Sequence, residues 1–365
     1  MTQLANGQIL TERRGPAGRL GHIVLNRPRQ LNALSEAMIH ALSEVIAAWR
    51  DDDSVEQILL TGAGERGLSA GGDIAEVRQD LVVDAEGRID TSAAERFLGA
   101  EYRLDASIGD LTKPFVAVMD GYTFGGGVGL SGHANTRVVT ERSQIAMPEA
   151  AIGFSPDVGG SYLLANMPGE LGVHAGITGL RLGAGDAIAT GFADHYVPAA
   201  RLPELVSRLE TCSAETAIAK LSEPAPAAEL LDARGWVDEV YASRSPVEIV
   251  AGLEALASEN EAAATALAAV RASSPLGVAA TAELVRRNRA AATLRAAIEL
   301  EYRVGIRLIA EPDFAEGVRA MLIDKDRQPR WQPSDLEQVS DARIQALFAD
   351  ADAPQLDWSL GPLGR

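Results

Sequence analysis

Short apolar runs recur through the first 200 residues, separated by stretches in which apolar residues have helical spacing. The runs end at glycine, proline or polar residues, and they predict buried strands at residues 21–26, 57–61, 115–119 and 137–140. After Ser35, apolar residues recur every three or four positions, which predicts an amphipathic helix that this serine caps. Strands that alternate with helices favour crossover connections, and therefore an α/β fold with a largely parallel sheet.

The pattern changes after about residue 200. Ala, Leu, Glu and Arg dominate there, and strand signals disappear. Apolar residues from Val278 to Ile309 keep helical spacing and predict a long helical stretch. The sequence therefore predicts a core of residues 1–200, a helical C-terminal region of residues 201–345 and a mobile tail of residues 346–365.

The overall charge is strongly negative, because 33 Lys and Arg residues face 51 Asp and Glu residues, for a net charge of −18. Such a surface repels nucleic acid and anionic membranes, so we expect neither as a partner. The lone Cys212 rules out an intramolecular disulfide and fits a reducing compartment. No secretory signal pattern is visible and no apolar run approaches the ~20 residues of a membrane span, so we expect a soluble, cytoplasmic protein.

Two glycine patterns match the dinucleotide-binding fingerprint, at residues 62–67 and 127–132. The fingerprint requires a helix to open inside the motif, but Gly71 and Gly72 follow the first match where that helix should run. The spacing instead predicts a helix that begins near Asp73, with Glu76 placed as in a capping box. In a chain with 35 glycines such matches arise easily by chance, so a nicotinamide or flavin site is disfavoured and no cofactor is expected.

Considered together, the two glycine clusters have a second interpretation as one binding site. Gly71–Gly72 and Gly125–Gly127 each come just after a predicted strand, so each can direct a bare backbone N–H at one shared position beyond the sheet edge. Two such donors form an oxyanion hole for a carbonyl oxygen. The alternative is that the glycines only permit tight turns or close packing. Their combination with Pro148-Glu149 and Pro156-Asp157 favours the oxyanion-hole interpretation, because loops then hold carboxylates near the two amides.

These residues resemble the enoyl-CoA hydratase/isomerase (crotonase) superfamily. The resemblance implies a crotonase-like spiral of ββα repeats with a helical C-terminal region, and an acyl-CoA substrate of which coenzyme A is a part. Crotonase relatives are often trimers or hexamers, which makes a homo-oligomer possible here. The matching segments follow the family's order and lie at residues 25–28, 31–34, 69–74, 125–127, 147–149, 178–182 and 186–187.

Within the superfamily, the chain is most similar to the 3-hydroxyisobutyryl-CoA hydrolase branch. Asp157 stands where hydratases usually carry glycine, Glu101-Tyr102 resembles that branch's substrate-contacting pair, and residues 314–331 resemble its tail signature. The resemblance implies hydrolysis of a short 3-hydroxyacyl-CoA thioester, as in valine breakdown. The alternatives are an enoyl-CoA hydratase or isomerase, and a non-catalytic acyl-CoA-binding protein.

The resemblance also implies roles for single residues. The N–H groups of Gly72 and Gly126 bind the thioester oxygen, and Ala70 lies near the adenine. Glu149 acts as general base or as nucleophile, and Asp157 orients the water or the substrate's 3-hydroxyl. The further predicted substrate-binding residues are Glu101, Gly71, Asp73 and Gly125.

Position 129, where hydratases carry a second glutamate, is glycine here. Simpler interpretations of the acids exist: Asp157 as a helix N-cap, Glu101 as a solvated helix residue and Glu149 as a surface loop acid. The five histidines and Cys212 show no metal-ligand spacing, so no metal is expected. The candidates for contacting the phosphates of coenzyme A are Arg27, Arg29, Arg66 and Lys325.

Overall fold

The computed structural model describes residues 1–85 and 88–360. Their strands are β1 (Thr2–Leu4), β2 (Ile9–Arg14), β3 (Leu20–Leu25), β4 (Gln57–Gly62), β5 (Gly67–Ser69), β6 (Val82–Val83), β7 (Ile89–Asp90), β8 (Phe115–Met119), β9 (Tyr122–Phe124), β10 (Thr136–Val139), β11 (Gln144–Ala146) and β12 (His195–Tyr196).

The helices of the first 200 residues are α1 (Glu36–Arg50), α2 (Ile74–Gln79), α3 (Ser92–Gly109), α4 (Gly126–Gly132), α5 (Gly160–Ala165), α6 (Leu171–Thr178) and α7 (Ala184–Ala189). Those that follow are α8 (Leu202–Leu209), α9 (Ala214–Leu221), α10 (Glu229–Asp232), α11 (Arg234–Tyr241), α12 (Pro246–Leu256), α13 (Glu261–Ala272), α14 (Pro275–Asn288), α15 (Leu294–Ile309), α16 (Pro312–Val318) and α17 (Asp341–Phe348).

The main sheet has seven strands in the order β1-β2-β3-β4-β8-β10-β12. From β3 to β12 all neighbours are parallel, whereas β1, β2 and β3 pair antiparallel. The four predicted strands are confirmed as β3, β4, β8 and β10. Strands β1 and β2 were not predicted, because β2 has only two buried positions, Ile9 and Thr11, and ends in two arginines.

A second sheet of three short parallel strands, β11-β9-β5, packs beside the first. Each of its strands directly follows a strand of the main sheet: β5 follows β4, β9 follows β8, and β11 follows β10. A helix comes after each pair. The chain therefore winds through successive ββα units, and this arrangement confirms the predicted repeat.

The helical C-terminal region packs directly on the core. The Phe154 and Phe314 rings lie 5.7 Å apart, and Tyr102 meets Tyr302 edge to face at 5.9 Å. Buried side chains from both regions contribute to each of two hydrophobic clusters, and the domain boundary at residue 200 stays a prediction. The predicted helical stretch from Val278 is two helices, α14 and α15.

The segment after residue 345 contains buried side chains. The predicted start of the tail falls inside α17, and Phe348 and Leu356 are buried. Trp358 Nε1 donates a hydrogen bond of 2.6 Å to Glu299. The mobility of the tail stays a prediction, and residues 361–365 lie outside the described residues.

None of the helices in the described part of the chain is by itself long and apolar enough to cross a membrane. Only α13 and α14 taken together meet the length and composition of a span, and they are bent by 116° at the break between them.

Candidate active site

The two glycine clusters converge, as predicted, because the strands that precede them are neighbours. β5 runs into Gly71 and Gly72, β9 runs into Gly125 and Gly126, and the two strands are paired in parallel. A Cβ atom built on Gly126 would lie 3.1 Å from the Gly72 amide nitrogen, and one built on Gly71 would lie 3.2 Å from the Gly126 amide nitrogen. Two backbone amides therefore meet at the ends of two adjacent strands.

Positive φ angles produce this approach. Gly71 has φ +99° and Gly125 has φ +47°, in a region that glycine adopts without the steric cost of a Cβ. Within residues 1–85 and 88–360, neither the Gly72 nor the Gly126 N–H donates a hydrogen bond to another backbone or side-chain group. Both amides are thus free to donate to one ligand oxygen, which is the arrangement of an oxyanion hole.

Two carboxyl groups border this pair of amides. A Cβ on Gly126 would overlap Glu101 Oε1, and a Cβ on Gly125 would lie 2.8 Å from Glu149 Oε1. Glu101 comes from the middle of α3, and Glu149 opens a short 3-10 helix, Glu149–Ile152, just after β11. Both are buried, so the interpretations of Glu101 as a solvated residue and of Glu149 as a surface acid are wrong.

Asp157 lies in the loop between that 3-10 helix and α5. Its Oδ2 accepts a hydrogen bond of 3.0 Å from Tyr102 Oη, so the consecutive residues Glu101 and Tyr102 on α3 both reach the site. The N-cap of α5 is Gly159, and therefore the interpretation of Asp157 as a helix cap is wrong.

Two further acids, Asp105 and Glu301, were not predicted from the sequence, and both are fully buried. Asp105 lies one helical turn after Glu101 on α3, and its Oδ2 is 2.7 Å from the position that a Cβ on Gly129 would take. The four-residue spacing from Glu101 was the available signal, since such residues share a helix face. For Glu301 the signal was a charged residue three positions after Ile298, within the apolar stripe of α15.

The five carboxyl groups form no ion pair with Lys or Arg in the described part of the chain. Burial therefore dominates their titration. It raises the pKa of Asp157 to about 7, against the hydrogen bond from Tyr102, which lowers it. Burial, and then the charge of Asp157, raises the pKa of Glu149 well above its ordinary value.

The same causes act on the other acids. Burial, and then Asp157, raises the pKa of Glu101, while burial, followed by Glu101 and Asp157, raises the pKa of Asp105. Burial raises the pKa of Glu301 to about 8, although Ser161 donates to it. At neutral pH the group thus holds protons that isolated carboxyls would have lost.

Exposure separates the acids into two sets. Glu149 and Asp157 each keep 7% of their surface accessible, whereas Glu101 keeps 1% and Asp105 and Glu301 keep none. A bound small molecule can therefore touch Glu149 and Asp157 most readily, with the other three acids behind them.

Two predicted substrate-binding residues lie at the edge of this site. Ala70 directly follows strand β5, and its amide donates 2.9 Å to Leu31 O. Asp73 precedes α2 as predicted, but its carboxylate does not cap the helix, because it pairs with both Arg27 guanidinium nitrogens at 3.1 Å. The predicted contacts of Ala70 and Asp73 with substrate stay predictions.

The remaining sequence motifs serve the fold. The first fingerprint match leads into strand β5 rather than a helix, and the second lies within α4. His133 Nε2 bonds to Val158 O at 2.8 Å, and Ser131 Oγ donates to Gly127 O at 2.6 Å, so these two side chains form no catalytic pair. The described residues contain no group of three His, Cys, Asp or Glu side chains placed to hold a metal ion.

Two free amides beside buried carboxyls are the arrangement expected of an enzyme site that acts on a carbonyl compound. A family model described as enoyl-CoA hydratase/isomerase matches residues 20–348, and the chain belongs to this family. The chain is 38% identical over 351 residues to the mitochondrial 3-hydroxyisobutyryl-CoA hydrolase of Gallus gallus, an alignment that covers 93% of this chain and 88% of the relative.

Solved structures of the same fold carry other names. A carnitinyl-CoA dehydratase from Mycobacterium thermoresistibile superposes with a TM-score of 0.89 at 41% identity, covering 97% of this chain and 99% of the other. An enoyl-CoA hydratase from Rhodobacter sphaeroides gives a TM-score of 0.86 at 42% identity, covering 94% and 98%. Both likenesses agree with the predicted crotonase-like fold.

Proposed function

We propose that this chain is a thioester hydrolase that cleaves 3-hydroxyisobutyryl-CoA, a short 3-hydroxyacyl-CoA, to the free acid and coenzyme A. The observation that carries the proposal is the pair of free amides of Gly72 and Gly126 with the Glu149 carboxyl beside it. Asp157, which like Glu149 keeps 7% of its surface accessible, lies on the hydroxyl of Tyr102. The name of the Gallus gallus relative supports the same substrate, which belongs to valine breakdown.

The Gly72 and Gly126 N–H groups donate to the thioester carbonyl oxygen and stabilise the negative charge that develops on it. Ionised Glu149 either takes a proton from the attacking water or attacks the carbonyl carbon itself. In the first case the water oxygen bonds to the carbonyl carbon, the carbon–sulfur bond breaks, and Glu149 returns the proton to the departing thiolate of coenzyme A. In the second case the bond to Glu149 replaces the carbon–sulfur bond, the thiolate leaves and takes a proton from solvent, and water then hydrolyses the mixed anhydride to the free acid and regenerates Glu149. Asp157 orients the water or the 3-hydroxyl group, and Glu101 binds the hydroxyl end.

Position 129 supports hydrolysis over hydration. The resemblance places the second hydratase glutamate there, but this chain has glycine, and a Cβ at that position would lie 2.7 Å from both Asp105 Oδ2 and Val158 Cβ. Neighbouring side chains thus fill the space that the side chain of a hydratase glutamate would need at this position. The carboxyl of Asp157 enters from a different direction, which favours reaction at the thioester carbon.

The test follows release of thiol from 3-hydroxyisobutyryl-CoA, with loss of the conjugated absorbance of crotonyl-CoA as a parallel assay. We expect thiol release by the wild type and a loss of roughly 10²- to 10⁴-fold in Glu149→Gln, the range typical of a general base. Glu44→Gln changes an exposed glutamate on α1 and should leave the rate unchanged. Rapid hydration of crotonyl-CoA without thiol release would refute the hydrolase proposal.

The expectations of a cofactor-free reaction, a homo-oligomer and a cytoplasmic location remain proposals. The Gallus gallus relative is named mitochondrial, so location is the one that most needs a test. Cell fractionation with an antibody to the chain checks the location, and light scattering of the purified protein checks the oligomeric state.

A further inference from the structure

The turn that carries Asp157 has an unfavourable backbone. Val158 adopts φ +52°, the left-handed region, which is a genuine outlier for a β-branched residue. Its side chain is fully buried, and Gly159 follows with φ +77°. Such a conformation persists only where surrounding groups fix it, and it often marks a functional site.

Glu301 of α15 is the group that fixes this turn from the C-terminal side. Its Oε2 accepts 2.7 Å from the Gly159 N–H and its Oε1 accepts 3.0 Å from the Ser161 N–H. Ser161 Oγ also donates to Glu301, and Asn288 Nδ2 donates to Ser161 Oγ. One fully buried carboxyl thus binds both backbone amides at the start of α5.

The turn is also held on its other side, so that Asp157 has little freedom. His133 Nε2 bonds to Val158 O at 2.8 Å. Gly160 N donates 2.6 Å to the Asp157 carbonyl oxygen, and Tyr102 Oη binds the Asp157 carboxyl at 3.0 Å. Loss of the two amide contacts of Glu301 would free Gly159 and Ser161, and the strained Val158 could relax and carry Asp157 away from Tyr102.

We propose that Glu301 is a positioning residue, which holds the 157–161 turn so that the Asp157 carboxyl keeps its contact with Tyr102 in the active site. This role rests on the proposed hydrolysis. It makes α15, far along the chain from both glycine clusters, a necessary part of the active site. Glu301 itself has no accessible surface, so it acts on the substrate only through Asp157.

The test is a double-mutant cycle on the thioesterase reaction. We expect Glu301→Gln to lower kcat by roughly 10- to 100-fold with little change in KM, because a shift of about 1 Å in a reacting group costs on that order. In the Asp157→Asn background, Glu301→Gln should have no further effect, since both changes disable the same group. Additive losses would overturn the proposal.

Two further variants separate positioning from general loss of stability. Tyr241→Phe removes a buried hydrogen bond of 2.8 Å to His174 in the helical region, so it should lower the melting temperature but leave kcat unchanged. Ser161→Ala keeps the Glu301 carboxyl, removes one donor to it and should lower kcat less than Glu301→Gln. If Glu301→Gln and Tyr241→Phe lose kcat equally at equal stability, Glu301 is only structural.

Assays of the wild type on both substrates distinguish failure of the positioning role from failure of the proposed hydrolysis. Thiol release by the wild type with an unaffected Glu301→Gln refutes the positioning role alone. If the wild type hydrates crotonyl-CoA and releases no thiol, hydrolysis is refuted, and the same cycle on hydration tests the positioning role. A wild type inactive on both substrates refutes both.

Discussion

A single methyl group separates glycine from alanine, and at position 126 that group would overlap Glu101 Oε1 and lie 3.1 Å from the Gly72 nitrogen. Glu101 is 1% exposed and has no free space into which to withdraw. A Cβ at this position would therefore displace either the acid or the amide that binds the thioester oxygen. Position 126 thus couples two parts of the site, the donor pair and the buried acid behind it.

We therefore expect Gly126→Ala to lower kcat by about 10²- to 10³-fold, the loss typical of one oxyanion donor. Gly235→Ala is the matched control, because within residues 1–85 and 88–360 its added Cβ would meet no atom within 4 Å beyond its chain neighbours and its own helix backbone, and its φ is not positive. It should keep full activity and stabilise α11 by roughly 0.5–1 kcal/mol. Thiol release and thermal unfolding measure both variants, and full activity in Gly126→Ala would contradict the assigned donor.

At the scale of elements, the N-terminus of α14 joins the helical region to the Glu149 helix. Ser274 Oγ accepts 3.0 Å from the Gly277 N–H and donates 2.5 Å to the buried Asp313 Oδ2. The Ser274 N–H donates 3.1 Å to Ala150 O, one residue after Glu149. Thr293 caps α15 by a similar bond, 3.2 Å from the Ala296 N–H, but at an exposed position.

These two caps give a matched pair of substitutions. Thr293→Ala should cost about 1 kcal/mol of unfolding free energy, the usual value of an exposed cap. Ser274→Ala should cost about 1–3 kcal/mol more, because Asp313 then loses a buried donor. Urea unfolding of the two variants measures the difference, and equal losses would mean that the Ser274–Asp313 contact contributes nothing.

At the scale of the whole molecule, buried acids without basic partners make stability depend on pH. A carboxyl whose pKa is raised on folding binds its proton more tightly in the folded state, so its contribution is complete below the unfolded pKa and is lost as pH rises through the folded pKa. Folding raises the pKa of Asp157 from 3.8 to about 7 and that of Glu301 from 4.5 to about 8. Stability should therefore fall between about pH 4 and about pH 8.

Asp105→Asn tests this dependence. Burial, and then the charges of Glu101 and Asp157, raises the pKa of Asp105, so its replacement by a neutral amide should make stability fall less steeply with pH. Urea unfolding at about pH 5 and about pH 8 gives the two slopes. Asp53→Asn, at an exposed position, should leave the slope of the wild type unchanged. An unchanged slope in Asp105→Asn would show that Asp105 is not protonated on folding.

The local signals in the sequence were sufficient for four strands of the main sheet. β3, β4 and β8 are mostly apolar and buried, and β10 ends in two buried valines. The predicted bounds of all four fall within one residue of the observed ends. The edge pair β1 and β2 was missed, because only Ile9 and Thr11 in it are buried and its sequence has no long apolar run. Ser35 was predicted as a cap and does accept from the Met38 N–H.

Short segments were enough to predict four strands of the main sheet, the two glycine clusters and Glu149, Asp157 and Glu101 as acids of the site, whereas the ββα repeat was predicted from the family resemblance. That Asp105 and Glu301 lie with these acids became apparent only from the folded chain. Glu301 contacts Gly159 across 142 positions, and no local pattern encodes so distant a contact. Burial depends on the complete packing of the chain, so the raised pKa values of these acids also require the helical region to be packed against the core.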